Sequence, residues 1–140
     1  MSVTSAHFSD QELACRCCGV NACTRELVDT LELIRSAVTL GRGVDTPVHV
    51  DCAYRCPAHN AATAGAASNS QHQNGIAADI KIPDMTAAEM EKLVSTFPQI
   101  NGIGRADHQG YIHVDLREGP RVKWCYDESG KSIKWYPALT

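Results

Sequence analysis

Two stretches of apolar alternation constrain this chain more than any other feature. From Gly75 to Ile82, the residues Ile76, Ala78, Ile80 and Ile82 fall on one face and Ala77, Asp79 and Lys81 on the other. From Tyr111 to Leu116, Ile112, Val114 and Leu116 share a face and Tyr111, His113 and Asp115 take the opposite one. A period of two marks a strand with one buried side, so the chain must build a sheet whose apolar face is covered. The same pattern puts Asp79 and His113 on polar, outward faces. If the two strands are neighbours, a spacing of about 4.8 Å lets both side chains reach one ion. His72 lies in the loop entering the first strand, and Gly75 allows a bend sharp enough to fold it back over that point.

The cover for the sheet is also visible. Leu27, Leu31, Ile34 and Val38 recur at helical spacing between Thr24 and Leu40, with a Gly41-Arg42-Gly43 breaker after them. Thr86 followed by Glu89 is a capping box opening a second helix, buried through Met90, Leu93, Val94 and Phe97 and stopped at Pro98. Ser9 and Glu12 mark a shorter capped turn. Pro47 to Cys52 reads as a short strand leading to a proline turn at Pro57. Asn60 to Asn74, rich in Ala, Gly, Ser and Asn, reads as a surface loop. The tail from Val122 to Tyr136 reads as a hairpin turning at Asp127 to Gly130, with Trp124 and Trp135 on its arms.

Charge and length narrow the function classes. With 140 residues the expectation is one domain over residues 1–140. Thirteen basic and sixteen acidic residues give a net charge of -3 without a basic run, which points away from nucleic acid. No apolar run is long enough to span a bilayer, and Met1 to His7 lacks the charged and apolar regions of a signal peptide, so a cytoplasmic place of synthesis is expected. Seven cysteines leave at least one thiol outside any intramolecular disulfide framework. Three readings of them stay open: free packed thiols, a structural metal site in the Cys15 to Cys23 segment, or disulfides formed after release.

A catalytic zinc site takes about three His or carboxylate ligands and leaves one position for water. His72, Asp79 and His113 are of that type, and the segment around them resembles a known signature. Ser70-Gln71-His72-Gln73-Asn74-Gly75-Ile76-Ala77-Ala78-Asp79 fills every fixed position of the SxHxxGxAxD pattern of zinc D-alanyl-D-alanine peptidases. Tyr111-Ile112-His113-Val114-Asp115 resembles the HxD segment of the carboxypeptidase branch, and Tyr54-Arg55-Cys56-Pro57-Ala58-His59-Asn60 its YRxPxHN segment. With the opening Phe8-Ser9 and the closing Val122-Lys123-Trp124, the resemblance runs from about Phe8 to Trp124.

That resemblance implies an α+β fold, a small mostly antiparallel sheet with the zinc site on one face and two helices on the other. It implies Zn2+ held by His72, Asp79 and His113, with Arg55 binding the substrate carboxylate or steadying an oxyanion. Ser70 is expected to organise the loop beside the substrate. The substrate implied is a peptidoglycan peptide, cut by a monomeric D,D-carboxypeptidase or endopeptidase that reaches the wall by a route other than a signal peptide, as a phage-type lysis enzyme would. Several family members carry an acidic general base three residues before the last histidine, where this chain has Gly110. Asp115 is the first candidate to replace it, equally readable as a carboxylate that braces His113, with His108 and Asp107 in reserve. His49 and His59 are read as structural, His59 as a brace for the Arg55 turn. Trp124 is read as cleft lining or hairpin core. Two rivals follow from Gly110 and the cysteines: a zinc-bearing wall-peptide-binding module without hydrolysis, and a metal-stapled structural protein.

Overall fold

The computed structural model describes residues 2–63 and 70–134. After the short helix α1 (Asp10–Leu13) comes α2 (Arg25–Arg42), then strand β1 (His49–Cys52) and helix α3 (Pro57–Ala62). A 3-10 turn at Gln71–Asn74 leads into β2 (Ala77–Lys81), followed by α4 (Ala87–Val94). Four more strands complete the chain: β3 (Gly102–Ala106), β4 (Tyr111–Asp115), β5 (Val122–Tyr126) and β6 (Ser132–Lys134). They form one six-stranded sheet in the order β1-β2-β4-β3-β5-β6. The β3 and β5 pairing is parallel and the rest are antiparallel.

Helix boundaries follow from their caps. The hydroxyl of Thr24 accepts the Leu27 N–H at 3.2 Å to start α2, and Gly43, at φ 71°, closes it with its N–H on the Thr39 carbonyl. Thr86 and Glu89 make both reciprocal bonds of the capping box, at 2.9 and 3.1 Å. Helix α4 ends at Val94, short of Pro98, and Phe97 packs from the turn that follows. Leu27, Val28, Leu31, Ile34 and Val38 of α2, with Met90 and Val94 of α4, form one core cluster with Ile80, Ile103, Ile112 and Val114 of the sheet. At about 25 cal/mol per Å² of apolar surface buried, this layer is the main stabilising contribution.

Two expectations change, and one strand is added. Asn60 to Asn74 is not all surface loop: it contains the end of α3 and the 3-10 turn, and Asn60, Ser70 and His72 are buried. The polar faces of β2 and β4 do not point into open solvent, since His113 and Asp115 are buried beneath other side chains. Strand β3 was not foreseen, and it separates β4 from β5. The expected hairpin is present as β5 and β6, although its Trp135 lies outside the described residues. No helix among the described residues is long and apolar enough to cross a membrane.

Candidate metal centre

The centre is built on one transverse row of the sheet. Cys52 is paired with Asp79, Asp79 with His113, His113 with Gly104, and Gly104 with Trp124. Directly paired residues project to the same side, so the row gathers β1, β2, β4, β3 and β5 at one place. A register shift between Val50 and Cys52 skips Asp51 and turns Cys52 to the side of Asp79, although plain alternation would leave it beside the core residue Val50. Gly104 contributes no side chain, and a Cβ there would lie 2.6 Å from Trp124 Nε1. The indole can therefore lie over β3 and approach His113, ring centroids 5.2 Å apart.

His72 reaches the row from the 3-10 turn. Ser70 caps that turn by accepting the His72 N–H at 3.2 Å, and Gly75, at φ 70°, ends it. A Cβ on Gly75 would collide with the Ala22 carbonyl, so the bend expected here also requires glycine for close packing. The His72 and His113 rings meet edge to face, centroids 5.1 Å apart.

Each imidazole is tethered at one nitrogen and presents the other to the same oxygen. His72 Nδ1 lies 2.7 Å from the Ala53 carbonyl oxygen, and its Nε2 is 3.4 Å from Asp79 Oδ1. His113 Nε2 lies 2.7 Å from Asp115 Oδ2, and its Nδ1 is 3.1 Å from Asp79 Oδ1. A tether of this kind fixes the tautomer, so the facing nitrogens carry the lone pairs a metal would use. Two imidazoles and a carboxylate converging in this way fit zinc in chemistry and number. Cys52, His72 and Asp79 also form a metal-compatible group, but Cys52 Sγ approaches the Nδ1 edge of His72, at 3.8 Å.

The carboxylates around the two rings set their charge. Burial disfavours charge on both rings, yet Asp79 beside His72, and Asp115 with Asp79 around His113, outweigh it and lift each to about 9. Burial would push the two carboxyls up, but His72 and His113 hold Asp79 well below the usual carboxylate range. Arg117 and His113 do the same for Asp115. Burial and the Asp79 charge push Tyr126 up to about 12 and raise Tyr111 as well, so both phenols stay protonated at neutral pH.

The remaining predicted residues divide clearly. Arg55 is buried, donates from Nη2 to Ser70 Oγ at 3.1 Å, and has an Nε without a partner among the described residues. Its backbone N–H bonds the His72 carbonyl at 3.2 Å, and Ser70 touches both residues. Asp115 is fully buried: Arg117 donates Nε to Oδ1 at 2.8 Å and Nη2 to Oδ2 at 2.7 Å, and the Arg117 N–H adds a bond to Oδ1. Asp107 is bound by both arms of Arg105, and with His108 it lines a depression formed by Cys125, Tyr126 and the 127–129 turn, which contains none of the three ligand-type residues. His49 is exposed on the edge strand. Cys52 and Arg117, the latter 5.0 Å over the Trp124 ring, are contacts that sequence reading missed.

A family model described as Peptidase M15 matches residues 6–115 of the chain. A comparison with curated proteins found no match.

Proposed function

The chain belongs to the Peptidase M15 family, and from that premise we propose that it is a zinc-dependent peptidase hydrolysing amide bonds in the stem or cross-bridge peptides of bacterial peptidoglycan. The observation that carries this reading is the convergence of His72 Nε2 and His113 Nδ1 on Asp79 Oδ1, each ring tethered from behind. Those three residues would hold the ion. Zinc bound there supplies a Lewis acid for the scissile carbonyl and a water acidified toward a pKa of about 7.

The other residues position the substrate and the ligands. Arg55, with a buried guanidinium and spare donors, offers a rigid fork to a terminal carboxylate. Ser70 holds that guanidinium next to the backbone of His72, so substrate anchor and ligand move together. Asp115 is a positioning residue rather than the base: both its oxygens are occupied by His113 and Arg117, and it has no exposed surface on which to meet water. Trp124, half-buried over His113, gives the site an apolar wall. Because the wall lies outside the membrane, the chain would act after export or lysis.

A second reading, a zinc-bearing module that binds wall peptides without cutting them, is favoured by the full engagement of Asp115 and by Gly110 in the family's base position. One experiment separates the two. Zinc-loaded protein is incubated with muropeptides ending in D-alanyl-D-alanine, with and without chelator, and products are read by mass spectrometry. Chelator-sensitive release of D-alanine or of shorter peptides supports the peptidase. Zinc-dependent binding without product supports the module, and neither result leaves the family's chemistry absent from this chain.

A further inference from the structure

The cysteine-rich segment plays no part in the site above, yet it is assembled with equal care. Cys15, Cys18 and Cys56 bring their sulfurs within 4.8 Å of one another, from the loop after α1 and from the N-cap of α3. His59, one turn into α3, places Nδ1 3.4 Å from Cys15 Sγ. Tetrahedral zinc with Zn–S of about 2.3 Å and Zn–N of about 2.0 Å separates two sulfurs by about 3.8 Å and a sulfur from a nitrogen by about 3.5 Å. The three sulfurs, and the pair formed by Cys15 and His59, are therefore near the separations a shared ion demands.

The chain around them is shaped for sulfur ligands. Cys15 Sγ accepts the backbone N–H groups of Cys17 at 3.4 Å and Cys56 at 3.3 Å, and Cys56 Sγ accepts that of His59 at 3.4 Å. Donors aimed at sulfur stabilise the thiolate form that binds metal. Gly19, at φ 75°, follows Cys18 and returns its N–H to the Cys15 carbonyl at 2.9 Å, closing a tight loop. In sequence Cys15-x-x-Cys18 has the paired-cysteine spacing structural zinc uses, and Cys56-x-x-His59 adds a second pair of ligand-type residues. Cys23 is excluded, because its sulfur points into the core toward the Leu13 carbonyl.

We propose that Cys15, Cys18, Cys56 and His59 form a structural zinc site that staples the loop after α1 to the turn carrying Arg55. The site is distinct from the His72, Asp79 and His113 centre and does not depend on hydrolysis. A single disulfide would use two of the three sulfurs and leave the third thiol and the imidazole unexplained. Four ligands close the coordination sphere, so the ion is structural and has no position for substrate.

The test uses the whole chain, prepared under reducing conditions and loaded with zinc or with cobalt as a spectroscopic probe. About two zinc ions per chain are expected, one in a closed and one in an open sphere. His72→Ala should retain one ion and, with cobalt, the near-ultraviolet sulfur-to-cobalt charge-transfer band of a tetrahedral thiolate site. Cys18→Ser and Cys56→Ser should lose that band, whereas Cys17→Ser and Cys52→Ser should keep it. His59→Cys should keep the ion with a stronger band. A His72→Ala protein without metal or band, or a disulfide mapped between any two of Cys15, Cys18 and Cys56 in the reduced preparation, overturns the proposal. The His72→Ala measurement decides even if the serine variants fail to fold. Loss of the band in Cys17→Ser but not in His59→Ala would overturn the assignment of the fourth ligand.

Discussion

At the residue scale, Asp115 shows how much a side chain's partners add to its place in an alternating pattern. Alternation placed it on the His113 face, but from there base and brace were equally readable. The neighbour that favours the brace, Arg117, lies beyond the strand, where no periodicity applies. In the proposed role of brace, Asp115 would fix which nitrogen of His113 faces an ion. Asp115→Asn should therefore weaken zinc binding about 10- to 100-fold, as loss of such partners does at other metal sites, measured by competition with a chromogenic chelator. Unchanged zinc affinity with lost turnover would return Asp115 to the role of base. Arg55 makes a different prediction. Arg55→Lys keeps the charge and loses the fork, so zinc content should stay the same while KM for peptides with a free terminal carboxylate rises about tenfold, the worth of one charge-assisted hydrogen bond. Peptides with an amidated terminus should not register the change. Cys52 was illegible for a definite reason: only the skipped Asp51 carries it to the Asp79 side, and a single irregular residue leaves no mark in the sequence.

At the element scale, β2, β4, α2 and α4 were legible because each has a complete apolar period and both helices have clear caps. Strand β3 was not, because Gly102, Gly104 and Ala106 leave its site-side positions nearly bare and Arg105 interrupts the other face. Those glycines are required by what lies over them. A Cβ on Gly102 would overlap the Asp115 carboxylate, and one on Gly104 would press on Trp124 and Tyr126. Gly104→Ala should destabilise the protein by about 1–3 kcal/mol, the usual cost of overpacking, and displace the indole. Chemical denaturation and Trp fluorescence would read the two effects. The N-terminal segment is held to α2 differently, by Glu32 accepting the Ser5 hydroxyl at 2.6 Å, the His7 N–H at 2.9 Å and the His7 ring at 2.7 Å. Burial would raise the Glu32 carboxyl, but the hydrogen bonds from Ser5 and His7 outweigh it and hold it below its ordinary value. A carboxyl lowered on folding contributes stability that is fully present above its unfolded pKa of about 4.3 and is lost as pH falls through the folded one. Amide protection at His7 should accordingly collapse on acidification below about pH 4.3. Glu32→Gln should abolish that pH step, at a cost of at most about 1 kcal/mol at neutral pH.

At the scale of the whole molecule, both metal-type clusters converge on the five residues from Cys52 to Cys56. The Ala53 carbonyl tethers His72, the Arg55 N–H bonds the His72 carbonyl, and Cys56 belongs to the thiol cluster. The Tyr54 N–H bonds the Leu13 carbonyl, two residues before Cys15, so the same segment is fixed to the start of the chain. An ion in either site must restrict this segment, and the other site needs the same conformation. If both metal readings hold, the sites are coupled, and linkage makes the coupling reciprocal. Couplings of this kind are commonly about 1–3 kcal/mol, or about 5- to 150-fold in affinity, and a shared segment of five residues points to the lower end. Cys56→Ser, which removes a thiolate but touches neither His72, Asp79 nor His113, should weaken zinc at the histidine centre about 5- to 10-fold. Reciprocally, His72→Ala should weaken zinc at the thiolate site by the same factor. Chelator competition on each variant measures both sides of that equality. Unequal factors would mean that one substitution had disturbed more than the ion it removed, and a factor of one on both sides would mean that the Ala53 to Cys56 segment is already rigid without metal.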